Sequence, residues 1–199
     1  TGRTGIRRDG RNLHQEWVSK YSKAAYVWDK KGFDAIDPRK TNHLLGLFEP
    51  SHMRYEADRA QDIAGEPSLA EMTTKAIKML EKNKKGFYLM IEAGRIDHAH
   101  HSGNAFRALT DTIALSDAVK AAVAMTDPRE TLIVVTADHS HVFTIAGYPE
   151  RGNPILGKAA VNGVAAKDSL GLPYTTVSYA NGPGFTGGFT RREFNGTNE

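Results

Sequence analysis

Two short segments concentrate the groups that could do chemistry: Glu92-Ala93-Gly94-Arg95-Ile96-Asp97-His98-Ala99-His100-His101 and Asp138-His139-Ser140-His141. They hold five of the eight histidines in the chain, and each follows an apolar run. Imidazole nitrogen and carboxylate oxygen are the usual zinc ligands where thiolate is absent, and carboxylate alone suits magnesium. There is no cysteine, so thiolate ligands and disulfides are excluded. Asp97 and His101 are four residues apart, and one helical turn or a compact loop brings both to one ion. Asp138 and His139 are adjacent, and side chains leaving the end of a strand can converge on a second. Glu92 can offer a hard oxygen to magnesium. His98, His100 and His141 are expected behind the ligands, orienting them or a substrate, because not every imidazole in such a cluster can coordinate. Neighbouring zinc ions suit phosphoryl transfer, where both neutralise the transferring group. A catalytic zinc takes about three protein ligands, and the residues in view supply an obvious pair for each, so further ligands are required.

The elements that must position these groups follow from periodicity. Leu13, Trp17, Val18 and Tyr21 recur at helical spacing. Residues 25–28 and 43–48 read as short strands. Ser68-Leu69-Ala70-Glu71 is a capping box opening a helix that carries Leu69, Met72, Ala76, Ile77 and Leu80 on one face and ends near Asn83. Gly86 breaks it, and Phe87-Tyr88-Leu89-Met90-Ile91 reads as a strand apolar on both faces, as a buried parallel sheet needs. Phe106 to Met125 reads as a long helix stopped by Asp127-Pro128, and residues 131–136 as the next buried strand. Strand, helix and strand make a βαβ unit with a right-handed crossover. Both polar clusters then stand at carboxyl ends of parallel strands, where open α/β sheets bind their ligands. Residues 151–172 read as a surface excursion, 174–179 as a strand, Asn181-Gly182-Pro183-Gly184 as a turn, and 190–199 as an exposed loop.

Composition narrows the classes further. The 199 residues are 40% hydrophobic with a net charge of +3, enough to bury a core and too balanced for a nucleic-acid-binding face. Lys82, Lys84 and Lys85 fall in a helix-to-strand turn and read as solvated charges. No apolar run reaches membrane-spanning length. There are no internal repeats.

These residues resemble those of alkaline phosphatases. Residues 92–101 are similar to the family segment E-G-G-R-I-D-H-x-H-H with Ala93 in place of a glycine, and Thr136-Ala137-Asp138-His139-Ser140-His141-Val142-Phe143 is similar to its T-A-D-H-S-H-V-F without change. Similarity continues through Asp9-Gly10-Arg11-Asn12-Leu13, Leu47-Phe48-Glu49-Pro50, Gly147-Tyr148-Pro149 and Asn181-Gly182-Pro183-Gly184, closer to the animal-type enzymes than to the enteric type. The resemblance implies an α/β fold, a three-layer α/β/α sandwich around a largely parallel sheet. It implies that Glu92 binds magnesium, that Asp97 and His101 bind a first zinc, and that Asp138 and His139 bind a second. It places a calcium ion at the Phe48 carbonyl, Glu49 and Glu66, with Glu66 where an aspartate is usual. It implies hydrolysis of phosphate monoesters through a phosphoserine, a homodimer, and an extracellular, cell-surface or periplasmic location. Residues 1–199 are then expected to be the metal-binding middle and late portion of one such domain. The family's nucleophilic serine, its arginine and several ligands fall outside it. Asp168-Ser169 is followed by Leu170 and does not match the nucleophile motif. Such a chain alone is expected to bind metal in part and turn over little. Phosphodiesterases and phosphoglycerate mutases share D-x-x-x-H and D-H arrangements, and a non-catalytic zinc module could use the same residues.

Overall fold

In the computed structural model, residues 7–182 are described; the expected loop at 190–199 and the end of the 181–184 turn lie outside them. Asn12 caps the first helix, α1 (Leu13–Lys20), its Oδ1 accepting from the Gln15 amide at 3.3 Å. Strand β1 (Ala24–Val27) pairs in parallel with β2 (His43–Gly46), Ala24 opposite His43 and Val27 opposite Gly46. The crossover contains α2 (Lys30–Ala35), whose first turn is capped by Asp29 accepting from Gly32 N at 2.7 Å. Phe33 on α2 is buried and carries the Lys75 ammonium over its ring, 4.0 Å from the centroid. This six-residue helix is too short to show a period, which is why the sequence did not announce it.

Helix α3 (Leu69–Leu80) opens on the expected capping box: the Glu71 amide donates to Ser68 Oγ at 3.2 Å and the Ser68 amide to Glu71 Oε2 at 2.8 Å. Thr73 and Ile77 face inward. Helices α4 (Arg95–His101) and α5 (Ala105–Met125) follow, the latter within one residue of expectation.

The two long apolar strands are not found. Residues 87–91 and 131–136 join no ladder among the described residues, and Tyr88 (88% exposed), Met90, Leu132 (88%), Val134 and Val135 face outward. A strand exists only when neighbours take up its N–H and C=O groups, and no described segment does so here. The βαβ unit expected around 87–136 is therefore absent from the described residues, and the one that forms is β1–α2–β2.

Residues 151–172, expected as a surface excursion, contain a hairpin, β4 (Ala160–Val161) and β5 (Val164–Ala165), turned by Asn162 and Gly163 with φ of 50° and 74°. Asn-Gly with both residues left-handed is the preferred two-residue hairpin turn. Strand β3 (Phe143–Ile145) pairs antiparallel with β6 (Val177–Tyr179), Phe143 opposite Tyr179, so the strand expected at 174–179 is shorter.

The chain divides into two compact units. One holds the described residues to Arg95 together with Asp111–Ile133; the other holds Ile96–Thr110 and the described residues from Val134 onward. Val27, Phe33, Tyr55, Ile77, Ala118 and Ala122 are buried in the first, Ala99, Ala108 and Ala159 in the second.

Within the first unit Asp111 is buried, accepting from Glu56 N at 3.1 Å. Burial pushes its carboxyl up to about 6 from the usual 3.8, reinforced by Glu56 and Asp58 and opposed by Arg95. A carboxyl raised on folding stabilises the native state fully below the unfolded value and loses that contribution as pH rises through about 6. Asp111→Asn keeps an acceptor for Glu56 N and cannot ionise. It is expected to match the parent near pH 4 and exceed it by roughly 1–3 kcal/mol at pH 8, read from thermal midpoints across that range. A constant difference would remove the electrostatic explanation.

Candidate metal centre

Helix α4 and the 138–141 loop build the cluster inside the second unit. Asp97 and His101, four apart on α4, share a helix face, and His101 Nε2 lies 3.5 Å from Asp97 Oδ1. The loop brings His141 Nε2 to 3.0 Å and His139 Nε2 to 3.7 Å from the same oxygen. Asp138 Oδ2 is 3.6 Å from His139 Nε2. The structure thus gathers Asp97, His101, Asp138 and His139, with His141 alongside.

The donor set fits a metal ion on two observations. Asp97 Oδ1 is buried and accepts no hydrogen bond although three imidazole nitrogens surround it; groups aimed at a common ion rather than at one another have that geometry. Asp97, His139 and His141 each offer a ligand atom within 4.8 Å of the others. His139 Nδ1 is 3.0 Å from the Ser140 carbonyl oxygen. An imidazole that donates there carries its proton on Nδ1 and leaves the Nε2 lone pair facing the carboxylates, as a neutral ligand requires. That hydrogen bond, then Asp138, raises the His139 pKa.

Exposure separates the residues. The side chains of Asp138 (89%), His101 (71%) and His139 (53%) stand open, whereas His141 keeps 17%. His100 stacks on His141, centroids 4.6 Å apart at 26°, and its Nδ1 meets the Tyr179 hydroxyl at 2.9 Å. Burial, then the neighbouring His141, lowers the His100 pKa, and burial pushes the Tyr179 phenol up to about 12. His100 is therefore a ring held against His141 by Tyr179, and burial disfavours its protonation. Sequence reasoning missed Tyr179; its only signal is the cross-strand register with Phe143, whose ring is 5.2 Å from that of His100. His98 lies on the same helix.

The other expected residues lie in the first unit. Glu92 is exposed and folds back over Gly94, where a Cβ would come within 3.3 Å of Glu92 Oε1. Phe48 packs edge-on against Phe33, 5.9 Å between centroids. Glu49 and Glu66 approach each other as expected and are joined by Asp62, which sequence reasoning did not single out. Asp168 Oδ1 accepts from the Leu170 and Leu172 amides, both at 2.9 Å, so Asp168-Ser169 closes a turn.

Comparison with known proteins shows the family of the chain. The family profile described as alkaline phosphatase matches residues 1–198. Alkaline phosphatase of Gadus morhua is 45% identical over 185 residues, covering 92% of this chain and 37% of the relative. The tissue-nonspecific isozyme of Gallus gallus is 47% identical over 186 residues, covering 91% and 34%. The crystal structure of Thermus thermophilus alkaline phosphatase aligns with a TM-score of 0.64 at 33% identity, covering 72% of this chain and 30% of that one. The chain belongs to the alkaline phosphatase family and has an α/β fold of that kind. It spans about a third of the length of the curated relatives it matches.

Proposed function

We propose that this chain supplies the zinc-holding part of a phosphate monoester hydrolase. The carrying observation is the buried Asp97 Oδ1 with imidazole nitrogens converging on it and no hydrogen bond of its own. Asp97 and His101 hold a first zinc, Asp138 and His139 a second, and Glu92 a magnesium ion. Phe48, Glu49 and Glu66 form a further cation site for calcium. Bound zinc supplies positive charge to the transferring phosphoryl group and its leaving oxygen.

The chain's own residues hold that arrangement ready. His141 lies beside Asp97, and His100 and Tyr179 in turn support His141 from behind. The backbone carbonyl of Ser140 fixes the His139 tautomer. The nucleophilic serine and the arginine come from sequence this chain does not contain, in a complete α/β/α sandwich whose sheet takes up the apolar runs at 87–91 and 131–136. The complete protein is a homodimer working outside the cytoplasm, and among the described residues no helix is long and apolar enough to cross a membrane.

Hydrolysis of a chromogenic phosphate monoester tests the proposal. With zinc and magnesium supplied, the 199-residue chain is expected to be inactive, and the same chain joined to the segments carrying serine and arginine to prefer the monoester over the matching diester. Preference for the diester would place the chain with the phosphodiesterases of the superfamily.

A further inference from the structure

Three carboxylates converge in the first unit: Glu49, Asp62 and Glu66, each with an oxygen within 4.8 Å of the others. Glu66 is 2% exposed, and its Oε2 is buried and accepts no hydrogen bond. Its other oxygen accepts from the Arg54 amide at 2.6 Å. An ionised carboxylate with an unmet buried oxygen is costly unless a cation answers it.

Asp62 has the same orphan character. It ends the short turn Arg59–Gln61, its amide donating to the Arg59 carbonyl at 3.2 Å, and its Oδ2 is buried with no hydrogen-bond partner.

Local charge points to a cation. Arg54 Nε lies 3.3 Å from Glu49 Oε1, while the fork of Arg59 is taken by both oxygens of Glu56, at 2.9 and 2.7 Å. One guanidinium against three carboxylates leaves a double negative charge. There is no imidazole or thiolate in the set, which disfavours zinc, and carboxylates offered by a loop suit the adaptable shell of calcium better than the strict octahedron of magnesium.

Resting on the reading of Glu49 and Glu66 as a calcium site, we infer that Asp62 is a further ligand of that ion and that Arg54 acts as a built-in partial counter-charge on Glu49. Asp62 lies outside the ligands the family motif would place there. It makes this site a three-carboxylate one.

Calcium titration of the chelator-stripped chain by calorimetry tests this, beside Asp62→Asn, Glu66→Gln and Asp97→Asn. The parent is expected to bind one calcium ion and Asp62→Asn to bind it at least about tenfold more weakly. Asp97→Asn should match the parent. In chelator, Asp62→Asn should melt no lower than the parent, which separates lost ligation from lost folding. If Asp62→Asn bound as tightly as the parent while Glu66→Gln lost the ion, Asp62 would be no ligand and the underlying site would stand. No calcium binding by the parent would overturn both. Magnesium binding as tight as calcium would overturn the choice of ion.

Discussion

Gly147→Ala is expected to destabilise the second unit by about 2–4 kcal/mol, the sum of a left-handed backbone penalty and overpacking. Gly147 has φ of +76°, and an added methyl would lie 2.5 Å from the Ala159 Cβ and 3.2 Å from the Tyr174 Cβ. Those neighbours cannot retreat cheaply. Ala159 is fully buried and donates to the Tyr174 carbonyl at 3.0 Å, while Ala166 donates to Ala159 at 2.9 Å and Tyr174 to Ala166 at 3.0 Å. The glycine also follows β3, where the Ala146 amide donates to the Thr176 carbonyl at 3.0 Å. Forcing it outward would disturb the β3–β6 pair that holds Phe143 and Tyr179 against His100. Gly152→Ala is the internal comparison: its φ is +90° with nothing within 4 Å of the new methyl, so only the backbone penalty of about 1 kcal/mol remains. Chemical denaturation of both variants measures the difference. Equal losses would mean that the packing around Gly147 relaxes freely.

The sequence displayed what depends on neighbouring residues and concealed what depends on distant ones. The capping box at Ser68 and Glu71, the span of α5 and the approach of Asp97 to His101 are local consequences of spacing, and each is found. The Asn162-Gly163 hairpin was equally local; its short flanking strands, Ala-Val and Val-Ala, are too brief to show alternation, so the turn went unread. The runs at 87–91 and 131–136 look like buried strands because their composition is that of buried strands. Whether such a run becomes a strand is decided by the segment hydrogen-bonded beside it, which its own residues cannot specify. Tyr179 and Asp62 were hidden for the same reason. The first reaches His100 through the register of β6 on β3, and the second meets Glu49 and Glu66 through a loop whose path local propensity leaves open. Spacing paired Asp97 with His101 and Asp138 with His139, whereas the reading of Phe48, Glu49 and Glu66 as a calcium site came only from the family resemblance.

Zinc affinity rests, in this account, on Asp97. Its Oδ1 is the one atom that His101, His139 and His141 all approach, at 3.5, 3.7 and 3.0 Å, and it is buried without a hydrogen bond. Removing an outer partner of a metal ligand costs about 10–100-fold in affinity. Losing the ligand itself, with three imidazoles left facing an empty position, should cost at least about 100-fold. His141→Ala, which removes a neighbour expected behind the ligands, should fall in the smaller range. Competition against a chromogenic zinc chelator for the parent chain, Asp97→Ala and His141→Ala, with far-ultraviolet circular dichroism to verify folding, is the most direct test. The account predicts measurable zinc binding by the parent, a loss of at least about 100-fold in Asp97→Ala, and an intermediate loss in His141→Ala. Zinc held equally by the parent and a folded Asp97→Ala would contradict it, placing the ion away from this cluster.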